Sequence, residues 1–322
     1  MHHTSPVNRN GRRRPRVAAR LLGGAVLAAG VFQVLRTARR MGRALADYRE
    51  SEARLRTAWT DIPGIAGPGA LRLHAHVRED APTALPPMVL VHGYGIGISY
   101  LVPLAARLAE EAHVYAPDLP GHGPSEHDAH PLTIPELADA LAAWMDAREL
   151  RSALLVGHSI GCQIAAEVAA RRPELAAGVV LVGPTSDPEA RTSAQQLARV
   201  IASSFFERSG YTIWASLDYS RAGASVLREE MRQMVSHRME NVLPRVTAPV
   251  RVVRGGRDGL VPQGWAETVA RLAGAPEPTV IPGWGHAVHY DDPEAIARIV
   301  LELGRATVTV GAAAPGTAPQ EV

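Results

Sequence analysis

From about residue 70 onward, short and almost continuously apolar runs alternate with longer stretches of helical periodicity. The runs Met88 to Val91, Val114 to Ala116, Leu154 to Val156, Val179 to Val182, Val250 to Val253 and Thr279 to Ile281 each give way to Gly, Pro or His within two residues. Parallel strands buried on both faces read this way. Helical segments are predicted around 101–111, 134–149, 160–171, 264–273 and 293–304. Ahead of them, Leu71 to Val77 alternates apolar and polar side chains, which predicts an antiparallel edge strand. The alternation predicts an α/β fold: a mostly parallel, doubly wound sheet with helices on both faces.

The interval between Val182 and Val250 is far longer than one crossover needs. Pro188 to Phe206 and Ala222 to Val242 both look helical, so residues 185–246 are predicted to form a helical cap rather than a structureless loop. That leaves 60–184 and 247–304 as the core. Residues 305–322, rich in Ala, Pro, Gly and Thr, are predicted to be a disordered tail.

Charge changes the picture at the other end. The first 43 residues hold ten Arg and no acid, so of 34 basic and 32 acidic side chains the remainder keeps 24 against 32, a net of −8. The body is acidic, and no nucleic-acid partner is expected. Within residues 1–45, Leu21 to Leu35 is apolar except for Gln33 and is flanked by Arg on both sides. Fifteen helical residues span about 22 Å, short of a hydrocarbon core of roughly 30 Å. Three readings stay open: a helix packed on the protein itself, a membrane-surface contact through residues 17–43 with snorkelling Arg, or a short tilted anchor. A signal peptide is disfavoured, because the small-residue site Ala44-Leu45-Ala46 lies beyond an Arg-rich stretch. The expected location is cytoplasmic, with membrane association through that segment as the variant.

Composition removes whole classes of chemistry. All 34 basic residues are Arg, which excludes a lysine Schiff base, a Walker A loop and a Ser-Lys dyad. One cysteine, Cys162, excludes an intrachain disulfide and Cys-rich metal sites. His122, His127, Asp128 and His130 fall close together but lack the i, i+4 spacing that would fix two ligands on one helix face, so no metal and no cofactor is expected. Gly93, Gly95 and Gly97 lack the spacing of a dinucleotide fingerprint.

The sharpest local signal is Leu154-Leu155-Val156-Gly157-His158-Ser159-Ile160-Gly161-Cys162, a strand running into Gly-x-Ser-x-Gly and then a helix. A serine at such a turn sits in strained backbone, and small residues two positions away relieve the crowding. A hydroxyl needs a base to become a nucleophile. His286, just past the last strand, is the choice, with His289 as runner-up. An imidazole needs a carboxylate on its other nitrogen, and Asp258 in a Gly-rich turn is favoured over Asp187. The order Ser159, Asp258, His286 is the one expected for this arrangement. Oxyanion donors are expected at the backbone N–H of Ile160 and of Tyr94, in Val91-His92-Gly93-Tyr94-Gly95. Cys162 is expected to be a packed apolar residue.

These pieces, with Asp118-Leu119-Pro120-Gly121-His122-Gly123-Pro124-Ser125, Gly256-Arg257-Asp258 and Gly285-His286, resemble the α/β-hydrolase superfamily over roughly residues 70–304, and within it the capped serine hydrolases. The resemblance implies an α/β-hydrolase fold with a cap and a Ser-His-Asp triad forming an acyl-enzyme that water resolves. The cap segment holds Phe205, Phe206, Tyr211, Trp214 and Tyr219, five of the fifteen aromatics. Phe205, Phe206 and Trp214 are candidate substrate contacts for a small apolar carbonyl compound, an ester, lactone or thioester. The same aromatics could instead pin the cap to the sheet. Arg208 and Arg221 could meet a substrate carboxylate. Rival readings are hydrolysis of a carbon-carbon bond in a vinylogous diketone, acyl transfer or perhydrolysis, and ligand binding without turnover. Ala287 after His286, where the carbon-carbon hydrolases usually carry an aromatic residue, weakens the first of these.

Overall fold

The computed structural model describes residues 42–43, 45–204 and 209–313. Eight strands form one sheet in the order β1-β2-β4-β3-β5-β6-β7-β8. They are β1 (Arg56–Pro63), β2 (Ala70–Arg78), β3 (Met88–Val91), β4 (Val114–Pro117), β5 (Ala153–His158), β6 (Ala176–Val182), β7 (Val250–Gly255) and β8 (Thr279–Ile281). β2 runs antiparallel to both β1 and β4, and every other pairing is parallel. The alternation in Leu71–Val77 thus marks an antiparallel strand, but the edge belongs to β1. That strand is largely exposed, with only Ile62 buried, so it offers no apolar face for a sequence pattern to reveal.

Period-two strands divide the core between the two faces of the sheet. Val89, Val91, Leu155, Val179 and Leu181 pack on one side beneath α2 (Ile134–Ala147), α3 (Ile160–Arg171) and α6 (Gln263–Leu272). Met88, Leu90, Leu154, Val156 and Val180 pack on the other beneath α1 (Val102–Leu108) and α7 (Pro293–Ala313). α2 begins where its sequence says it should. Thr133 Oγ1 accepts from the Glu136 amide, Glu136 Oε2 accepts from the Thr133 amide at 2.8 Å, and Pro135 occupies the first turn, where no N–H is needed.

The cap consists of α4 (Ser193–Ser204) and α5 (Ser209–Ser236). α5 begins well before Ala222, so Tyr211, Trp214 and Tyr219 belong to a helix rather than to a link between two. α7 likewise runs on to Ala313, so residues 305–313 are helical where composition predicts a tail. The apolar segment Leu21–Leu35 lies outside the described residues, as do Phe205, Phe206, Arg208 and residues 314–322. Among the described residues, no helix is long and apolar enough to cross a membrane.

Strand order reverses direction around β3, because β4 and β5 lie on opposite sides of it. Loops leaving the carboxyl ends of β3 and β5 there diverge and open a crevice, the usual ligand position in such sheets.

Candidate active site

Register brings the site together. Val91 pairs with Gly157, His158 with Val182, Val182 with Val253, and Gly255 with Ile281. The loops after β3, β5, β6, β7 and β8 therefore leave one edge of the sheet side by side.

Ser159 sits between β5 and α3 with φ 57° and ψ −121°, a strained conformation for a residue with a Cβ. Its amide donates to Val182 O at 3.0 Å, anchoring the turn to β6. The flanking glycines are steric necessities. A Cβ on Gly157 would lie 2.5 Å from Gly161 O, and one on Gly161 would lie 2.3 Å from Val91 O. Cys162 is fully buried behind the turn, and its thiol donates to Gly157 O at 3.1 Å. Burial pushes the thiol's pKa well up, consistent with a packed residue rather than a nucleophile.

The loops after β7 and β8 are knitted by backbone. Gly256 N donates to Ile281 O and Arg257 N to Trp284 O, both at 2.8 Å. Asp258 is buried in the first of these loops. Its Oδ1 accepts from the amides of Leu260 at 2.9 Å and Val261 at 3.0 Å, while Arg254 Nη2 donates to its carbonyl at 2.9 Å. Its Oδ2 faces His286 Nδ1 at 2.8 Å. A carboxylate only accepts, so Nδ1 carries the proton and the Nε2 lone pair faces away from Asp258. A Cβ on Gly183 would come within 2.9 Å of the His286 ring, so that glycine makes room for it.

The alternatives have other uses. His289 is buried with its ring centroid 4.0 Å from that of His158. Burial, then the neighbouring His286, lowers its pKa to about 3. Asp187 receives Arg199 Nη1 at 2.6 Å and the Glu189 amide at 2.9 Å, holding the start of the cap. Asp128 accepts from the amides of Ile65 and Ala66, so it fixes the β1–β2 turn. Among the described residues, no cluster of three or more His, Cys, Asp or Glu could hold a metal ion.

His92, after β3, accepts from the Leu119 amide at Nε2, 3.0 Å away, and its Nδ1 meets Gly93 O at 3.2 Å. Burial, then His122, pushes its pKa well down, so the ring stays neutral. In a trans peptide the Gly93 carbonyl and the Tyr94 N–H point oppositely. Fixing the carbonyl on His92 therefore also fixes the direction of Tyr94 N–H. Among the described residues, neither that amide nor the one of Ile160 donates to an acceptor.

Several site residues carry no sequence signal. Tyr100 Oη accepts from the Gly93 amide at 2.6 Å and lies 2.9 Å from His158 Nδ1, whose Nε2 is 3.2 Å from His286 O. Burial, then His289 and His286, pushes the His158 pKa well down. The neutral ring accepts from Tyr100 and donates to His286 O, tying the loop after β3 to the loop after β8. In the sequence His158 is visible only as the variable letter of Gly-x-Ser-x-Gly. Asp118 receives the Ile98 amide at 2.8 Å and His74 Nδ1 at 2.7 Å, which gives its Gly-rich motif a scaffolding use.

Ser159 and His286 open into one cavity of about 150 Å³, lined by Ile96, Val200, Ala215, Met231, Met234 and Leu260 among others. Tyr211 and Tyr219 of α5 also line it, and no Asp, Glu or Arg among the described residues does. Trp214 is elsewhere, with its ring 4.3 Å from that of Tyr48, so it pins the cap to the segment before β1. A larger, polar cavity of about 480 Å³ borders Gly95 and Gly97–Ser99 and includes His74, His76, Asp118 and Asp218. It is reached by neither Ser159 nor His286, so the smaller cavity is the one adjoining the strained turn at Ser159.

The family model described as "Alpha/beta hydrolase family" matches residues 88–299. The chain belongs to this α/β-hydrolase family. It is 28% identical over 233 residues to the pimeloyl-[acyl-carrier protein] methyl ester esterase of Stenotrophomonas maltophilia, covering 63% of this chain and 86% of that one. A thermophilic esterase from Thermogutta terrifontis superposes with TM-score 0.62 at 25% identity, over 78% of this chain and 99% of the esterase. A bacterial membrane phospholipase A superposes with TM-score 0.66 at 20% identity, over 90% and 99%; that likeness concerns the α/β-hydrolase fold alone. Relatives that are esterases place hydrolysis of esters within this family's reach.

Proposed function

We propose that the protein is a serine hydrolase that cleaves esters, lactones or thioesters with an uncharged, apolar acyl group. The carrying observation is the His286–Asp258 pair at 2.8 Å, opening with Ser159 into one apolar cavity. His286 Nε2 takes the Ser159 proton as Oγ attacks the carbonyl, and Asp258 stabilises the resulting imidazolium. The amides of Tyr94 and Ile160 receive the oxyanion, each such donor contributing about 3–4 kcal/mol in comparable sites. His286 then protonates the leaving group, and water resolves the acyl-enzyme by the same route in reverse. A lining that is apolar and, among the described residues, without carboxylate or guanidinium favours neutral substrates, because a charged group would enter unpaired.

The test is fluorophosphonate labelling of the wild type beside Ser159→Ala, read by intact mass, followed by a panel of p-nitrophenyl esters, a lactone, a thioester and a vinylogous dienone. One adduct that disappears in Ser159→Ala, with ester turnover lost alongside it, is the expected result. A folded wild type that neither labels nor turns over any ester would refute the reading. A dienone cleaved far faster than any ester would assign carbon-carbon hydrolysis to the same residues.

A further inference from the structure

The cap helix α5 does more than roof the cavity: it grips the loop that carries Tyr94. Tyr94 Oη donates to Leu227 O at 2.6 Å, the Gly95 amide to Glu230 Oε2 at 2.7 Å and the Gly97 amide to Asp218 Oδ2 at 3.2 Å. Contact is close enough that a Cβ on Gly95, whose φ is +63°, would come within 2.4 Å of the Leu227 side chain. A left-handed, side-chain-free residue at this position lets helix and loop approach.

Glu230 is the best-anchored of these contacts. It is 8% exposed, and its second oxygen, Oε1, lies 2.7 Å from His122 Nε2. The other ring nitrogen of His122 faces Pro120 O at 3.1 Å. Nδ1 thus meets a carbonyl, while Nε2 and the Glu230 carboxylate make a close charge contact. His122 belongs to the Gly-rich turn after β4, so the core holds one end of Glu230 while the other end holds Gly95.

We propose that Glu230 is a positioning residue: seated beside His122, it fixes the peptide that follows Tyr94 and so, with His92 holding the peptide that precedes it, keeps the Tyr94 N–H in place. This rests on the reading of Ser159 as nucleophile and Tyr94 N–H as oxyanion donor. It follows that the oxyanion site is complete only while the cap is seated. A cap that lifts away takes the acceptor of Gly95 with it.

Two substitutions separate reach from charge. Glu230→Gln keeps an oxygen at the same reach from Gly95 and loses the charge; Glu230→Asp keeps the charge and withdraws it by one methylene. Full-length variants would be compared in kcat and KM on a p-nitrophenyl ester, and in Ki for an alkyl trifluoromethyl ketone, which forms a hemiketal with an active serine. Removing one oxyanion donor costs about 10²–10³ in kcat elsewhere, and a displaced donor should cost less. The expected result is Glu230→Asp lower in kcat by about 10- to 100-fold with KM within about twofold and Ki weakened in parallel, and Glu230→Gln within about fivefold of wild type.

Glu229→Ala, which removes a half-buried partner of Arg232 and Gln233, should leave all three constants unchanged. Wild-type kcat and Ki in Glu230→Asp would overturn the proposal. Equal losses in both variants would do so as well, by placing the effect in the ion pair with His122 rather than in the Gly95 contact. Turnover that survives in Ser159→Ala would instead overturn the reading beneath it.

Discussion

Replacing Asp258 by Asn is a near-isosteric change whose outcome the surrounding hydrogen bonds dictate. Two backbone amides, of Leu260 and Val261, donate to Oδ1. After Asp258→Asn only the side-chain oxygen can accept them, so that oxygen takes the Oδ1 place and the new NH₂ group turns toward His286 Nδ1. The reverse rotamer would leave two buried donors facing an NH₂ group, at about 1–3 kcal/mol each, or about 2–6 kcal/mol together. Facing a donor, Nδ1 must accept, and the proton moves to Nε2, the nitrogen proposed to receive the Ser159 proton. The base is then in the wrong tautomer although every atom is nearly in place. Changes of this kind in a Ser-His-Asp arrangement lower kcat by about 10⁴, or about 5.4 kcal/mol at 1.36 kcal/mol per decade. The assay is steady-state hydrolysis of a p-nitrophenyl ester, with thermal melting to establish folding. KM should stay within about threefold, since Asp258 does not line the cavity. A folded Asp258→Asn within about tenfold of wild-type kcat would refute the assignment of Asp258 as the carboxylate that orients His286.

Gly161→Ala drives a Cβ to 2.3 Å from Val91 O, backbone against backbone; a loss of about 2–4 kcal/mol in urea unfolding is expected, and an unchanged midpoint would show that the two segments can separate freely. Tyr100→Phe leaves the Gly93 amide without its acceptor and His158 Nδ1 without its donor; about 2–4 kcal/mol should be lost, with kcat falling more than KM rises. His92, His158 and His289 are buried with pKa values pushed below the ordinary histidine value, chiefly by burial. Their contribution is therefore fully present above the unfolded-chain pKa near 6.5 and falls away as pH drops below it. Each binds a proton in the unfolded chain but not in the native one, so stability should decline by up to about 1.4 kcal/mol per pH unit for each histidine, about 4 kcal/mol for the three. Urea midpoints that stay flat between about pH 6.5 and 5 would contradict this.

How much of this is legible depends on whether a residue's task is written in its own neighbourhood. β3, β5 and β6 are buried on both faces and show as unbroken apolar runs, β7 does so over Val250 to Val253 but for Arg251, and β1, exposed along most of its length, leaves no pattern. Periodicity alone starts α5 at Ala222, because the preceding aromatics and serines form no clean apolar stripe, yet Tyr211, Ala215 and Tyr219 share a helix face toward the cavity. The glycines around Ser159 announce the strained turn because backbone crowding there tolerates nothing larger. Asp258 and His286 can be placed because each follows a strand at the same sheet edge. Tyr100, His158 and Glu230 cannot, since their partners lie across the fold: a tyrosine on a 3₁₀ turn, a histidine within a motif whose letter varies, and a glutamate late in a long polar helix. Composition alone points Trp214 toward substrate, and its ring lies on Tyr48 instead.

Cys162, packed beneath the strained turn at Ser159 with its thiol bonded to Gly157 O, is the sole sulfhydryl of a chain that also lacks lysine. A maleimide can reach it only when the junction of β5 and α3 transiently opens, because the thiolate must be solvated before it reacts. Alkylation under native conditions therefore counts opening events at that junction and nowhere else, as amide hydrogen exchange would, but with a single mass shift. Where opening and reclosing are fast relative to alkylation, each decade by which labelling lags behind a free thiol corresponds to about 1.4 kcal/mol of opening free energy. The protein thus carries its own gauge of how firmly the strained turn at Ser159 is held shut.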